Sequence, residues 1–284
     1  MAILQKSILL RSGIEIPQIG FGTYQMKGPP CESAVEYALS VGYRHIDTAI
    51  FYQNERIIGR VIKPYERQKL FITSKIPPNL QGYDTAYNAV LSSIENLDTD
   101  YLDLVLIHWP GVSGNSPNDP KNAQTRLNTW RALEQLKKEN KIRSIGVSNF
   151  LVSHLRKLMD HAEIIPDINQ VEYHPLCQNQ NLLEFCKENH IQIEAYSPLA
   201  RGNEQLWSNR DVVRIARERS ATIAQVLLKW GINKGFVVLP KSVTRERILE
   251  NIQLDHFELS EHDMETLENL NQDLHTCWNP VNIL

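Results

Sequence analysis

Short hydrophobic runs alternate with longer amphipathic stretches along almost the whole chain. Eight runs rich in β-branched and aromatic residues predict buried strands. These runs span residues 19–22, 43–49, 70–75, 102–109, 142–147, 168–173, 191–196 and 236–239. Two shorter runs, 7–10 and 14–16, flank the turn Arg11-Ser12-Gly13 and predict an opening β-hairpin.

Between these runs, apolar residues recur three and four positions apart, which is the period of an amphipathic helix. We predict such helices at residues 85–97, 125–138, 179–188 and 222–232. In the last of these, Thr222 and Gln225 are spaced as a capping box. Two further helical patterns, at residues 209–219 and 260–270, exceed a simple repeat of one strand and one helix. We interpret them as extra helices.

Strands that alternate with helices imply parallel pairing, because parallel neighbours need a crossover connection. Eight such units without a linker-like boundary predict an α/β fold, namely a (β/α)₈ TIM barrel with an N-terminal β-hairpin and two extra helices. We expect one barrel domain over residues 1–284. The longest irregular stretch, residues 111–122, follows the strand that ends near His108, and we interpret it as a loop on the substrate side.

Composition excludes several classes of function. The net charge of the 284 residues is −3, which gives no electrostatic case for nucleic acid. No run of about 18 apolar residues exists, so we expect no membrane span. The apolar stretch among the first ten residues is too short and too interrupted for a signal peptide. Cys31, Cys177, Cys186 and Cys277 show no Cys-x-x-Cys spacing, so we expect no metal site and a reducing cytoplasm. We expect a monomer that acts on a small molecule.

Four polar residues stand at or just after the carboxyl ends of three consecutive predicted strands: Asp47, Tyr52, Lys75 and His108. In a parallel barrel that end of the strands carries the chemistry. The Lys75 ammonium would lower the pKa of Tyr52 from its usual value near ~10, and Asp47 would keep the lysine charged. His108 would orient a substrate oxygen. Taken singly, Asp47, Lys75 and His108 are each explained equally well as structural, and Tyr52 alone is a weaker indication still. Together the four predict acid–base chemistry on an alcohol or carbonyl oxygen.

A second pattern, after the eighth predicted strand, favours anion binding. Lys241, Ser242 and Arg247 gather where a helix is predicted to open near Thr244. Helix N-termini bind anions, and barrels often bind phosphate after strands seven and eight. The alternative is an ordinary capped helix with surface basic residues. A Rossmann site is disfavoured, because Gly20-Phe21-Gly22 lacks the third glycine of its fingerprint.

Over essentially its whole length the chain resembles the aldo-keto reductases. The matching motifs are Gly20-Phe21-Gly22-Thr23, residues 42–49 with Tyr52 and Asn54-Glu55, Lys75, and residues 106–110, 145–150, 169–175, 195–199 and 240–242. The resemblance implies reduction of aldehydes and some ketones by direct hydride transfer from NADPH, without a metal. Tyr52 would be the general acid, tuned by Lys75 and Asp47, and His108 would orient the carbonyl.

The resemblance also implies a set of cofactor-binding residues. By matching position they are Ser148, Asn149 and Gln170 for the nicotinamide carboxamide, Tyr196 for stacking on its ring, Lys241, Ser242 and Arg247 for the 2′-phosphate, and Glu250 and Asn251 for the adenine, with Gly22, Thr23, Ser197, Leu199, Val243 and Thr244 beside them.

Aromatic residues are expected to wall the substrate pocket beside His108, although core packing is the alternative explanation for each of them. They are Tyr24, Phe51, Trp109 and Trp278. Tyr24 stands where many members of the resembled family carry a tryptophan. The loop at residues 199–204 is short compared with members of that family that fold a long strap over the cofactor, so we expect fast cofactor exchange. The tail after Trp278 is brief, so we expect an open pocket.

Two other functions stay open on the sequence alone. A phosphate-binding barrel aldolase or isomerase would form a Schiff base with Lys75. A non-catalytic relative would bind the nucleotide only as a sensor. The complete set of four polar residues argues against both.

Overall fold

The computed structural model describes residues 2–284 as a ring of parallel strands preceded by a hairpin. β1 (Ser7–Leu9) and β2 (Glu15–Pro17) pair antiparallel and form the predicted hairpin. The remaining strands are β3 (Phe21–Gly22), β4 (His45–Asp47), β5 (Phe71–Ile76), β6 (Leu102–Ile107), β7 (Ile142–Ser148), β8 (Ile168–Glu172), β9 (Gln192–Tyr196) and β10 (Val237–Leu239). They are hydrogen-bonded in chain order, and every pair is parallel.

Backbone hydrogen bonds between the first and last parallel strands close the sheet. Gly20 N donates to the Val238 carbonyl oxygen at 2.9 Å, and Val238 N donates to that of Gln18 at 3.0 Å. Gly22 N continues the seam to the Pro240 carbonyl oxygen at 3.0 Å. The predicted (β/α)₈ barrel is therefore confirmed. Closure brings the carboxyl ends of all eight strands around one opening.

The helices follow the predicted periodicity closely. They are α1 (Gly28–Ser40), α2 (Glu55–Ile62), α3 (Tyr83–Asn96), α4 (Lys121–Lys138), α5 (Val152–Met159), α6 (Gln180–Glu188), α7 (Glu204–Trp207), α8 (Arg210–Glu218), α9 (Ile223–Asn233), α10 (Arg245–Glu250) and α11 (Glu261–Glu268). The predicted extra helices are α8 and α11. At the start of α9, Gln225 N donates to Thr222 Oγ1 at 3.2 Å and Thr222 N donates to Gln225 Oε1 at 2.9 Å, so the predicted capping box is present.

Two segments differ from the prediction. α4 begins at Lys121, one turn before the predicted start at residue 125. The prediction missed this turn because its residues are mostly polar and show no apolar period. The loop after β9 is not a plain short connection. It contains a 3₁₀ turn, Ala200–Gly202, and the one-turn helix α7. A helix of four residues is too short to show a periodic pattern in the sequence. Within the described residues, no helix combines the length and apolarity needed to cross a membrane.

The hairpin blocks the amino-terminal end of the barrel. Leu10 and Ile16 of the hairpin are buried in one cluster with Phe71, Leu104 and Ile168 of the barrel interior. The main core lies outside the strands, between the sheet and the ring of helices. With one end filled by apolar side chains, the other end is left for a site.

The barrel interior above this block contains two buried ionisable residues, His45 and Glu194, which approach within 3.7 Å. Burial, with a contribution from Asp47, raises the pKa of Glu194 to about 8. Burial, with a contribution from Lys75, lowers the pKa of His45 to about 3. Both side chains are therefore predominantly neutral at pH 7.

Gly146 of β7 has no room for a side chain. A Cβ atom there would lie 2.7 Å from the Ile168 carbonyl oxygen and 2.8 Å from Leu106 Cδ2. Gly146→Ala should lower the free energy of unfolding by about 1–3 kcal/mol through overpacking against backbone. Gly22→Ala is the matched control, because its nearest atoms would lie at 3.5 Å. Urea unfolding curves with the same midpoint for both variants would contradict the close contact.

The raised pKa of Glu194 predicts a pH-dependent stability. An unfolded glutamate titrates near ~4.3, so between that pH and about 8 the folded protein keeps a proton that the unfolded chain releases. Stability should therefore fall as pH rises through this window. Glu194→Gln removes that loss. The difference in the free energy of unfolding between this variant and the wild type should therefore grow by a few kcal/mol as pH rises through the window, at about 1.4 kcal/mol per pKa unit. Urea unfolding at several pH values measures it. The exposed Glu36→Gln is the control, and a pH-independent difference for Glu194→Gln would refute the shift.

Candidate active site

One large cavity opens at the carboxyl ends of the barrel strands. Its volume of about 1270 Å³ exceeds the ~300–1,000 Å³ of ordinary small-molecule sites. Most of the residues predicted for the site line it. They are Gly22, Tyr24, Asp47, Phe51, Tyr52, His108, Trp109, Ser148, Asn149, Gln170, Tyr196, Ser197, Leu199, Lys241, Ser242, Arg247, Glu250, Asn251 and Trp278.

A buried ion pair lies beneath the floor of this cavity. Lys75 Nζ donates to Asp47 Oδ1 at 2.6 Å and to the Thr48 carbonyl oxygen at 2.8 Å. A third, longer bond of 3.5 Å runs from the same nitrogen to Tyr52 Oη. Lys75 is fully buried and does not line the cavity itself. An ammonium has three hydrogens, and each of them has an acceptor here.

Tyr52 holds its proton more tightly than the sequence predicts. Burial raises the pKa of Tyr52 well above its usual value, and the Asp47 carboxylate raises it further. The expectation that Lys75 lowers this pKa is therefore wrong, because Asp47 offsets the charge of the lysine and burial penalises the phenolate. A phenol that keeps its proton at neutral pH is a proton donor.

His108 is a neutral imidazole beside this phenol. Burial lowers its pKa well below the usual value, and the charge of Lys75 lowers it further. The ring lies edge-on to Tyr52, with 5.8 Å between centroids. Its Nδ1 is buried and has no hydrogen-bond partner within residues 2–284. Nε2 is therefore the nitrogen left to meet a bound molecule, and as an N–H it would donate.

Gln170 joins Asp47 to a carboxyl group that the sequence analysis missed. Gln170 Nε2 donates to Asp47 Oδ2 at 2.9 Å and to Glu194 Oε2 at 2.7 Å. Both hydrogens of the amide nitrogen are used, so Oε1 is the end of the amide that stays available. The signal for Glu194 was a lone carboxylate in the hydrophobic run 191–196.

Tyr196 is held by its hydroxyl at one side of the cavity. Its Oη donates to Asn149 Oδ1 at 2.7 Å, and Asn149 Nδ2 donates to the His108 carbonyl oxygen at 2.9 Å. Next to them, Ser148 Oγ donates to the Gln170 carbonyl oxygen at 2.8 Å. These bonds fix the direction in which the half-buried ring presents a flat surface.

Two cationic side chains lie at the far end of the cavity. Lys241 and Arg247 are exposed, and neither forms an ion pair with any residue from 2 to 284. Between them Ser242 is buried, and its Oγ accepts from Thr244 N at 3.1 Å just before α10 begins. This end of the cavity therefore has unneutralised positive charge beside a helix start, as an anion site requires.

Three predicted cofactor residues do not line the cavity. Thr23 is buried and donates to the Asp47 carbonyl oxygen, through N at 3.1 Å and Oγ1 at 2.9 Å, so it holds that strand end in place. Val243 is exposed outside the cavity, and Thr244 precedes α10.

The loop that was predicted on the substrate side also lies away from the cavity. No residue of 111–122 lines the cavity, and Leu284 N donates to the Pro117 carbonyl oxygen at 3.1 Å.

Asn54 is a positioning residue whose role was not predicted. It is buried, and it accepts from Thr48 Oγ1 at 2.6 Å. Its Nδ2 donates to the carbonyl oxygens of Thr23 and Met26 at 3.1 and 3.2 Å. Asn54 thereby ties together the segments on either side of Asp47. Its place directly before α2 and two residues after Tyr52 was the available signal.

The loop after β9 and the C-terminal tail add cavity residues that periodicity does not reveal. Arg201, Glu204 and Trp207 line the cavity, and Trp207 Nε1 donates to the Leu199 carbonyl oxygen at 2.9 Å. From the tail, Cys277 lines it as well, with its Sγ 3.6 Å from Ser197 Oγ. Ser197 and Cys277 are 80 positions apart, and a contact over such a distance has no local sequence pattern.

Aromatic rings form the outer rim. Trp109 and Trp278 meet edge-to-face with 4.6 Å between centroids, and Tyr24 lies 5.1 Å from the ring of Tyr52. Phe51 is 63% exposed and Trp278 is 53% exposed, so the rim is apolar and open to solvent.

Comparisons with known proteins agree with this geometry. Residues 18–272 match the model of the Aldo/keto reductase family. The chain is 43% identical over 284 residues to the glyoxal reductase of Bacillus subtilis, which covers 99% of this chain and 98% of that protein. An aldo-keto reductase from a deep-sea metagenome library has a similar structure, with a TM-score of 0.90, 40% identity, and 96% and 98% of the two chains covered.

A Bombyx mori aldo-keto reductase solved in complex with NADP is also similar. Its TM-score is 0.85 at 29% identity, and the match covers 95% of this chain and 94% of that one. The family match spans most of the chain and agrees with the barrel and the polar residues at its strand ends. This chain belongs to the aldo/keto reductase family of oxidoreductases.

Proposed function

We propose that this protein reduces aldehydes and small ketones to alcohols, with NADPH as the hydride donor. One observation carries the proposal: Tyr52 Oη lies 3.5 Å from the buried Lys75 Nζ at the floor of a cavity. The far end of that same cavity has the exposed cations Lys241 and Arg247. A protonated phenol and an anion site at opposite ends fit a long phosphorylated hydride donor and a carbonyl together.

The residues present are suited to a nicotinamide nucleotide. The available Oε1 of Gln170 is an acceptor for a carboxamide N–H, and the fixed ring of Tyr196 offers a surface for stacking. Lys241 and Arg247 would meet a phosphate at the other end. When bound, NADPH supplies a hydride from C4 of its nicotinamide. The relative solved in complex with NADP supports this assignment.

The protein's own residues handle the proton and the developing charge. As the carbonyl carbon is reduced, its oxygen becomes negative, and Tyr52 donates its proton to that oxygen. Lys75 then stabilises the phenolate that remains, at a distance already set by the Asp47 pair. His108 donates a hydrogen bond from Nε2 to the same oxygen and orients the carbonyl.

The shape of the rim favours small substrates. Tyr24, Phe51, Trp109 and Trp278 offer flat apolar surfaces, but the two most exposed of them leave the mouth wide. Such a rim excludes water only close to Tyr52, so we expect short aldehydes and dicarbonyl compounds to be reduced best. The 43% identity with a glyoxal reductase supports this substrate class.

The Schiff-base alternative fits the geometry poorly. Lys75 is fully buried, and all three of its hydrogens point to acceptors. A Schiff-base lysine needs an amine that is free of partners and that substrate can reach. Lys75 has neither property.

Tyr52→Phe should lower carbonyl reduction by about 10²–10⁴-fold, because it removes the hydroxyl that donates the proton. The dissociation constant for NADPH should stay unchanged, since the ring remains. Loss of NADPH absorbance with a panel of short aldehydes measures the first quantity, and fluorescence titration measures the second. Tyr24→Phe is the control and should alter turnover far less. Retention of more than about a tenth of wild-type turnover by Tyr52→Phe would rule out the assigned role.

Cofactor choice should depend on Lys241 and Arg247. Charge-assisted bonds contribute about 1.5–3 kcal/mol each, although solvent exposure reduces the gain here. Lys241→Ala and Arg247→Ala should each raise the dissociation constant for NADPH, and salt should weaken wild-type binding in the same direction. Binding of NADH, which lacks the 2′-phosphate, should change little. Fluorescence titration of both cofactors provides the measurement.

Arg245→Ala is the matched control for this series. Arg245 lies on the same helix, α10, but its guanidinium packs 5.3 Å from the Tyr37 ring, away from the cavity. It should leave the preference for NADPH intact. If Lys241→Ala and Arg247→Ala weaken NADH and NADPH equally, these residues stabilise the helix start and do not bind the phosphate.

A further inference from the structure

Outside the catalytic group, three metal-ligating side chains meet where the C-terminal tail crosses the barrel. Glu172 ends β8, Cys177 lies in the loop that follows, and His275 belongs to the tail. His275 Nδ1 is 3.2 Å from Glu172 Oε2 and 3.5 Å from Cys177 Sγ. One ligand atom from each residue lies within 4.8 Å of the other two.

These separations match the edges of a tetrahedral zinc site. Zinc bonds of about 2.0–2.2 Å to nitrogen or oxygen and about 2.3 Å to sulfur make the nitrogen–oxygen edge about 3.4 Å and the nitrogen–sulfur edge about 3.5 Å. A thiolate, an imidazole and a carboxylate are also the donors that zinc prefers. The two distances from His275 Nδ1 therefore already suit one ion, and the ligand atoms of Glu172 and Cys177 lie within 4.8 Å of each other.

The surroundings are also organised as in a metal site. His275 Nε2 lies 3.5 Å from Asp273 Oδ1, so its second ring nitrogen faces a carboxylate. A carboxylate in this position favours a proton on Nε2, which leaves Nδ1 to ligate. Glu172 is fixed in turn, because it accepts from Thr276 N at 2.8 Å and Cys277 N at 3.2 Å.

We propose that Glu172 Oε2, Cys177 Sγ and His275 Nδ1 bind a Zn²⁺ ion, with water as the fourth ligand. Glu172 and Cys177 are buried, whereas the side chain of His275 is 25% exposed, so the ion and its water reach the site from the solvent side. Cys177 and His275 are 98 positions apart, so the site has no short sequence motif such as Cys-x-x-Cys. The expectation of a chain without a metal site rested on that spacing alone.

Zinc binds cysteine as the thiolate, so binding displaces the proton of the Cys177 thiol. Zinc binding should therefore strengthen as pH rises.

The bound ion would hold the tail against β8. Cys277 and Trp278 follow His275 directly, and both line the large cavity. The ion touches none of Asp47, Tyr52, Lys75 or His108, so it takes no part in the proton transfer, and the proposal of the site does not rest on the proposed reductase activity. The ion would hold one wall of the pocket in place.

Cobalt(II) provides a spectroscopic test. Untagged protein is stripped with a chelator and titrated with Co²⁺ at pH 8. One equivalent should produce a near-ultraviolet thiolate-to-cobalt charge-transfer band together with the visible bands of tetrahedral cobalt, and Zn²⁺ should remove both. Cys177→Ser should abolish the charge-transfer band. His275→Gln, a change in the partly exposed tail, should weaken binding at least about 100-fold, since even outer ligands matter about 10–100-fold.

Cys186→Ser is the matched control, because Cys186 is a buried thiol on α6 outside the cluster. It should keep the full cobalt spectrum, and circular dichroism should show all three variants folded. If Cys177→Ser does not fold, the His275→Gln titration decides alone. Absence of a charge-transfer band at one equivalent, or unchanged binding by His275→Gln, would overturn the proposal and leave the cluster as a hydrogen-bonded anchor of the tail.

Discussion

The ion pair between Lys75 and Asp47 is the constraint around which the active end of the barrel is built. Both side chains are almost completely shielded from water, and breaking such a pair by removing one partner typically costs about 3–5 kcal/mol. The neighbouring ionisable groups accommodate it by staying neutral. Tyr52 and Glu194 have raised pKa values, and His108 and His45 have lowered ones. One opposite-charge pair is thus surrounded by groups that add no further charge at pH 7.

That arrangement explains why so many residues near the site bind one another. Thr23 and Asn54 hold the backbone on either side of Asp47, and Gln170 holds its second carboxylate oxygen. The position of Tyr52 relative to Lys75 is therefore set by the barrel and by buried hydrogen bonds. A site that must move a proton benefits from such preorganisation, because little has to rearrange during the reaction.

Local sequence patterns predicted most of the fold and the four polar residues Asp47, Tyr52, Lys75 and His108 at the strand ends. Strand and helix periods predict the barrel, and His108, Lys75 and Asp47 stand at strand ends that the hydrophobic runs mark directly. The features that the sequence did not predict depend on contacts between residues distant in sequence, or on an element too short to show a period. The loop 111–122 contacts Leu284, the helix α7 is one turn long, and the cluster of Glu172, Cys177 and His275 joins segments about a hundred residues apart.

The direction of the pKa shift of Tyr52 was also predicted wrongly from the sequence. Strand-end positions place a lysine near the phenol, but the direction of the shift depends on how completely Asp47 offsets that lysine and on how deeply the hydroxyl is buried. Neither quantity is visible in a linear pattern. The raised pKa also changes the role of Lys75, from lowering the pKa of the tyrosine before the reaction to stabilising the phenolate once the proton has left.

The most direct test of this dependence on the buried pair is a single-turnover measurement on the double variant Asp47→Asn/Lys75→Met. The double change removes both charges, so no unpaired ion is left in the interior and folding should be preserved. With NADPH bound in advance and an aldehyde added, the rate of hydride transfer should fall by at least about 10²-fold while NADPH affinity stays close to the wild type. A double variant that transfers hydride within about tenfold of the wild-type rate would contradict the central role of the pair.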